Sequence, residues 1–320
     1  MKKIILLVLM SVFAFCAQAQ SLTATLQQGD VVTPFYGENA FRNAYEAAQD
    51  GAVITLSPGN HLKPNAGLDI NKSITLIGSG AYGEDEAISY VNAIGVRANN
   101  VRVEGLYIKD VINFEASATD SRVLHCYLNK LEGWKHFNTI VEQCVIKESN
   151  VIGNDFKNLC IKNCIIERLG SSYNSETTFI NDVIYKISYA VPMKDTYRNC
   201  VIGLEEREKT LESPGEFYNN VFFNYNENSI DFELNLRFAE GCVHSGNSVD
   251  TYNNLFGGVI DYSAMPNTTT LGDDGKKVGP EGGTGYKLYP AIPRIISKQI
   301  DRQTNAEGKI NVNIQVKAED

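Results

Sequence analysis

The 320-residue chain has one tryptophan, four methionines and nine prolines. So little proline, with no Gly-X-Y period, excludes collagen-like and proline-rich extended classes. Runs of apolar residues long enough to span a membrane as a helix are missing outside one stretch at the start, which excludes a polytopic helical membrane protein. Basic side chains are outnumbered: 29 lysines and arginines against 38 acidic residues give a net charge of −9. With no basic block to track phosphates, nucleic acid is excluded as a partner. Paired CxxC motifs are also absent, because Cys160 and Cys164 stand alone in their spacing, so no metal site is expected. The four histidines, His61, His125, His136 and His244, have no nucleophile-elbow context.

What is present begins with Ile4 to Phe15, an apolar run after Lys2 and Lys3 and before Ala17-Gln18-Ala19. This is the pattern of a secretory signal peptide over residues 1–19, and it predicts export to the periplasm, the outer-membrane surface or the extracellular space. Phe15 before Cys16 argues against lipid anchoring, since a lipoprotein peptidase takes a small residue there. Removing the leader leaves 27 basic against 38 acidic side chains, a charge of −11, and no transmembrane segment is expected in what remains. The six later cysteines, Cys126, Cys144, Cys160, Cys164, Cys200 and Cys242, are an even number in an oxidising compartment, which invites a disulfide reading. Their neighbours point elsewhere.

Val101 to Ile108, Arg122 to Asn129, Ile140 to Lys147 and Cys160 to Glu167 share one outline, and it continues at Phe179 to Ile184, Tyr197 to Ile202, Phe217 to Phe222, Phe238 to Val243 and Tyr252 to Phe256. Each reads as a short strand, a two-residue corner and a second short strand. The second corner residue falls at Gly105, Cys126, Cys144, Cys164, Asp182, Cys200, Asn220, Cys242 and Asn254, mostly 18 to 22 residues apart. No helical segment lies between the strands to make βαβ crossovers, and the leucine lattice of leucine-rich repeats is absent. The predicted fold is therefore all-β, a parallel β-helix whose rungs stack about 4.8 Å apart. In such a coil the corner residues superpose into an inward ladder. Asparagine tolerates a left-handed corner and satisfies buried polar groups, while free cysteine fills the slot as a small buried side chain. Parallel Cβ vectors a rung apart exceed the roughly 3.8 Å that a disulfide prefers, so a thiol ladder is the expectation. His125, in the first corner position, is expected at a solvated corner.

Before the repeat, Phe41, Ala44, Tyr45 and Ala48 lie on one face of a short helix closed by Asp50-Gly51, which suits a cap over the open end of a coil. Ala52 to Gly59 ends in Pro-Gly, and Leu68 to Gly78 ends in Leu-Ile-Gly. Together with the repeat, these segments resemble the first coil of the right-handed parallel β-helix (pectate-lyase-like) superfamily, a resemblance that covers roughly residues 35 to 265. The repeat stops and the composition changes near residue 265, so residues 20–265 are expected to form the capped β-helix and 266–320 a separate ending. That ending opens with the glycine-rich Leu271 to Gly285, expected to be an irregular closing loop. Tyr286 to Ile296, with two prolines, is expected to lie extended across the end or side of the coil. Ile310, Val312, Ile314 and Val316 alternate with polar residues and predict a strand paired with Arg294 to Ile300.

Enzymes of that superfamily mostly act on acidic polysaccharides, by β-elimination with a lysine or arginine base and calcium or by hydrolysis between aspartates. Polysaccharide as partner and calcium as cofactor are thus implied by resemblance alone. Neither enzyme signature is legible, and Asp273-Asp274 reads as a solvated turn, so no catalytic residue is assigned. The candidate binding face is built from side chains after the second strand of each coil. Lys109, Lys130, Glu167 and Arg168 would stack near one edge beside Trp134, Lys135 and His136. There an aromatic ring would stack on a sugar and the cations would pair with carboxylates. The expectation is an exported β-helix protein that binds extracellular polysaccharide along its coil, with lyase or hydrolase cleavage as an extension of that reading. The alternative is a non-enzymatic envelope or surface module.

Overall fold

The computed structural model describes residues 22–63, 65–82, 87–115, 118–133, 138–150, 157–170, 176–188, 194–206, 208–211, 214–225, 233–258, 261–262, 264–286, 294–300 and 312–317. Trp134, Lys135 and His136 lie outside them, as does the leader.

The chain winds into a parallel β-solenoid of about 7 turns. Short strands form because each turn supplies three to five β-branched or aromatic residues and then a corner that breaks the extended backbone. Strands before the corner build one long sheet, running from Val53–Leu56 through Arg102–Glu104, Arg122–Leu124 and Ile140–Glu142 to Val243–Ser245. Strands after the corner build a second, from Gly59–Asn60 through Tyr107–Ile108, Tyr127–Gly133 and Val145–Asn150 to Ser248–Val249. The pairings in register put Val103, Val123, Val141, Ile161, Phe179, Tyr197 and Phe217 in one inward file. The Phe179, Tyr197 and Phe217 rings stack nearly parallel with centroids 4.8 and 5.3 Å apart. Burying each such side chain contributes roughly 1.5–3 kcal/mol to the stability of the coil.

At the N-terminal end an antiparallel hairpin, Thr23–Gln28 with Val31–Tyr36, pairs onto Val53–Leu56. Beside it the helix Ala40–Ala47 buries Ala40, Phe41, Ala44 and Tyr45, with Ala48 buried just beyond, the face the sequence pattern indicates. Lys72 finishes that helix by donating from Nζ to the carbonyl oxygens of Tyr45, Glu46 and Ala48, placing its charge at the negative end of the helix dipole.

Each corner uses two slots with different demands. The first takes a left-handed backbone: Gly105, His125, Gln143, Asn163, Asn181, Asn199, Asn219 and Gly246 all have positive φ. The second points inward, and there the N–H of one rung donates to the side chain of the next. Cys126 donates to Cys144 Sγ and Cys144 to Cys164 Sγ, each at 3.4 Å. Cys164 donates to Asp182 Oδ1 at 2.7 Å, Cys200 to Asn220 Oδ1 at 2.9 Å and Asn220 to Asn247 Oδ1 at 3.0 Å. All six described cysteines are free thiols.

The register corrects three of the expected ladder positions. Arg102–Glu104 pairs with Arg122–Leu124, so Gly105 stands in the left-handed slot opposite His125, and Leu106 fills the inward slot. Val243 pairs with Glu216, which puts Cys242 before the strand; the corner is Gly246-Asn247. Asn254 belongs to the short helix Tyr252–Phe256, where Thr251 caps the N-terminus by accepting from the Asn254 N–H. His125 is buried and not solvated.

The C-terminal segment also differs from a loop closing the end. Residues 264–286 run back along the flank of the coil as a strap. Arg198 and Asn199 hold Asp273, at 2.5 and 2.7 Å. Asn163 Nδ2 donates to the carbonyls of Pro280 (3.0 Å) and Gly282 (2.6 Å), and Gln143 Nε2 to that of Gly285 (2.6 Å). The left-handed corner asparagines thus present their amides outward as docking points for a bare backbone. Glycine permits the approach: a Cβ on Gly283, whose φ is +55, would sit 2.4 Å from Asn181 Nδ2. Further on, Arg294–Ile300 and Val312–Lys317 pair antiparallel, as the alternation predicts.

Candidate functional site

Residues of the second sheet alternate between core and exterior. Val91, Ile108 and Leu128 are buried, while their neighbours Tyr90, Tyr107 and Tyr127 are half-exposed on the outer face and share one register. Continuing along the coil, that outer column becomes Val145, Ile165, Val183, Val201 and Val221. The change of character matches a change of cover. Ile165, Val183, Val201 and Val221 pack with Tyr185 and Phe223 into a second buried cluster, roofed by Leu255 of the short helix and Val278 of the strap, with Met265 and Tyr286 against its edge. The tyrosines lie beyond that roof.

The tyrosines form a ladder. Tyr107 and Tyr127 stack with centroids 4.4 Å apart and planes 11° apart, and Tyr90 follows at 5.2 Å with a 52° tilt. Tyr82 meets Tyr127 edge-on at 6.0 Å, and its hydroxyl donates to the Cys126 carbonyl while accepting from the Val145 N–H. Because the rings face one another, what they offer outward is edges and hydroxyl groups. Between Tyr107 and Tyr127 no ring face is open for a sugar to stack on, and Trp134, the ring expected to make that contact, lies outside the described residues. Burial, followed by the neighbouring Tyr107 and Glu167, pushes the Tyr127 hydroxyl above its ordinary range, so it stays protonated and remains a donor at neutral pH.

The expected charged residues flank this ladder. Lys109 places Nζ 4.3 Å from the Tyr90 ring centroid and donates to Asn60 Oδ1 at 2.6 Å. Lys130 pairs with Glu132 at 2.6 Å, and its register partner Glu148 is in turn partnered by Arg168. Hydrogen bonding to Glu132 holds the Lys130 ammonium above its ordinary range. Glu167 is half-buried; burial raises its carboxyl despite the opposing pull of Lys147 and Arg168. Lys130 and Arg168 therefore share one row through Glu148, whereas Lys109 belongs to the tyrosine end. Trp134, Lys135 and His136 stay outside the described residues. The sequence reading passed over Tyr90, Tyr107 and Tyr127 themselves. Their signal was a tyrosine directly after the inward slot at Ser89, Leu106 and Cys126, which looks like ordinary strand preference.

A second charged cluster sits at the corner of the early rungs. Glu104, whose side chain is 4% exposed, accepts from Arg102 Nε and Nη2 at 3.0 and 2.6 Å and faces His125 Nδ1 at 3.4 Å. Burial alone would raise its carboxyl, but the close approach of His125 and the two bonds from Arg102 prevail and hold it below the ordinary range. Asp273 and Asp274 form an exposed turn, as expected, and also pin the strap: Asp273 to Arg198 and Asn199, and Asp274 to the N–H groups of Lys276 and Gly283. No group of three or more metal-ligating side chains occurs among the described residues, and no described helix is long and apolar enough to cross a membrane. Comparison of the chain with protein-family models, with curated proteins and with solved structures finds no match.

Proposed function

We propose that the protein is exported and binds a neutral extracellular polysaccharide on the outer face of its second sheet. The reading is carried by the Tyr90–Tyr107–Tyr127 ladder, half-exposed in a column that is otherwise aliphatic and roofed. Repeating phenol hydroxyls, one per rung, supply donors and acceptors at a spacing matched to a repeating polyol. The charges beside them favour an uncharged polymer over a polyuronate, since Lys130 is paired with Glu132 and Glu148 lies beside both Lys130 and Arg168. Membership of the pectate-lyase-like superfamily belongs to this proposal. It is supported by the parallel solenoid and by the helix that caps its first coil.

A non-enzymatic envelope module is the second reading, favoured by the Lys130–Glu132 ion pair, which leaves fewer groups for a ligand. Affinity electrophoresis of the wild type and Tyr107→Ala in gels containing xylan, mixed-linkage glucan, pectin or alginate separates the two. Retardation by a neutral glycan, lost in Tyr107→Ala, is expected. Equal mobility of both proteins in every gel overturns the proposal in favour of the envelope module.

A further inference from the structure

We infer that the C-terminal strap gives the tyrosine face a blind end, so that the site takes a short run of sugar units and not a polymer passing along the whole coil. The inference rests on the glycan-binding reading above. Its basis is the contact between the strap and the ladder. From Pro280 to Gly285 the strap follows the corner amides of Asn163 and Gln143 toward the early rungs. At Tyr286 it reaches the ladder: the Tyr286 hydroxyl donates to the Tyr82 hydroxyl at 3.4 Å, and Tyr82 stands edge-on against Tyr127. The next residue of the outer column, Val145, gives its N–H to Tyr82 and, like Tyr286, lies half-buried against the margin of the roofed cluster. The column is thus open at Tyr90, Tyr107 and Tyr127 and blocked at Val145 by two tyrosines, one supplied by the second coil and one by the strap.

Three rungs at about 4.8 Å each leave room for roughly three sugar units, because a pyranose in an extended chain is about as long as one rung is deep. Beyond them the aliphatic column, Ile165 to Val221, would continue the track if the strap were absent. In this arrangement Tyr286 is a specificity-determining residue: it touches no part of the ladder's open side yet sets where the ladder ends.

Titration calorimetry with xylo- and cello-oligosaccharides, from disaccharide to octasaccharide, tests this on the full chain. For the wild type, affinity is expected to rise up to the tri- or tetrasaccharide and then level off. In the double variant Tyr82→Ala/Tyr286→Ala, which uncovers Val145 but leaves the roof over Ile165 in place, the plateau is expected to move out by about one sugar unit, with a gain of about tenfold. Tyr286→Phe keeps the ring as a plug and should reproduce the wild-type plateau, which separates blocking from the hydroxyl bond. Wild-type affinity that climbs to the octasaccharide overturns the blind end while leaving glycan binding in place. So does a plateau unchanged in Tyr82→Ala/Tyr286→Ala with an intact circular-dichroism spectrum. Absence of binding at any length overturns the glycan reading itself.

Discussion

Asp182 fills an inward slot that neighbouring rungs fill with cysteine or asparagine, and it is wholly buried. Its two oxygens accept from the N–H groups of Cys164 and Ile180, but burial, reinforced by the Cys164 thiol, pushes its carboxyl well above the usual range. The folded state therefore binds this proton more tightly than the unfolded chain does. Its stabilising share is complete below the unfolded carboxylate range and is lost as pH rises through the elevated folded value. Asp182→Asn removes the charge but also one of these two acceptors, so measured against the wild type its stability should improve by about 1–3 kcal/mol as pH rises from 4 to neutral, read from thermal-unfolding midpoints. A difference from the wild type that stays unchanged over this range would show that charge is not the cause. Glu104 acts with the opposite sign: its lowered carboxyl contributes stability at neutral pH that is lost as pH falls through its folded value.

The thiols give a second test at this scale. Burial raises Cys144 and Cys200, and carries even half-buried Cys160 up to about 11, so none of the three is a thiolate near neutrality. Intact-mass analysis after iodoacetamide should show Cys126, Cys144, Cys164 and Cys200 unmodified in the native protein and alkylated after denaturation. Cys144→Ala leaves the Cys126 N–H without its acceptor and should cost about 1–3 kcal/mol, while Cys144→Ser, which keeps an acceptor, should cost less.

Among the elements, the corner was readable because every turn imposes the same two backbone demands, whereas the strap was not. A small residue at a corner does not say which slot it fills, which is why Gly105, suited to a left-handed backbone, was indistinguishable from an inward ladder member. Near the end, Gly241-Cys242-Val243 mimics the Asn-Cys-Val of a true corner. The real one lies 27 residues beyond Asn220 because that turn carries an extra strand, Asn235–Phe238, paired with Glu208–Leu211. In the strap, glycine richness reports close approach to asparagine amides, a contact between residues more than a hundred positions apart that no local pattern encodes. Gly283→Ala forces a Cβ against Asn181 and a strained left-handed backbone, costing about 1–2 kcal/mol. Limited proteolysis should then cut within 264–286 while the coil stays intact; a digestion pattern equal to that of the wild type would contradict this account of the strap.

As a whole molecule the solenoid is quasi-one-dimensional, each turn touching mainly its neighbours, and the strap is the exception. By holding Asn199, Asn163 and Gln143 at once it ties the rung of Asn199 to that of Gln143, which do not pair with each other. It also divides the outer face of the second sheet into a roofed aliphatic part and an open tyrosine part, and the functional proposal concerns the open part. Hydrogen–deuterium exchange with and without a saturating xylo-oligosaccharide or cello-oligosaccharide tests that claim most directly. Added protection confined to peptides containing Ser89–Val91, Tyr107–Ile108 and Tyr127–Gly133 is the predicted result. Protection on the first sheet instead, or none on these three strands while the ligand is bound, would contradict it.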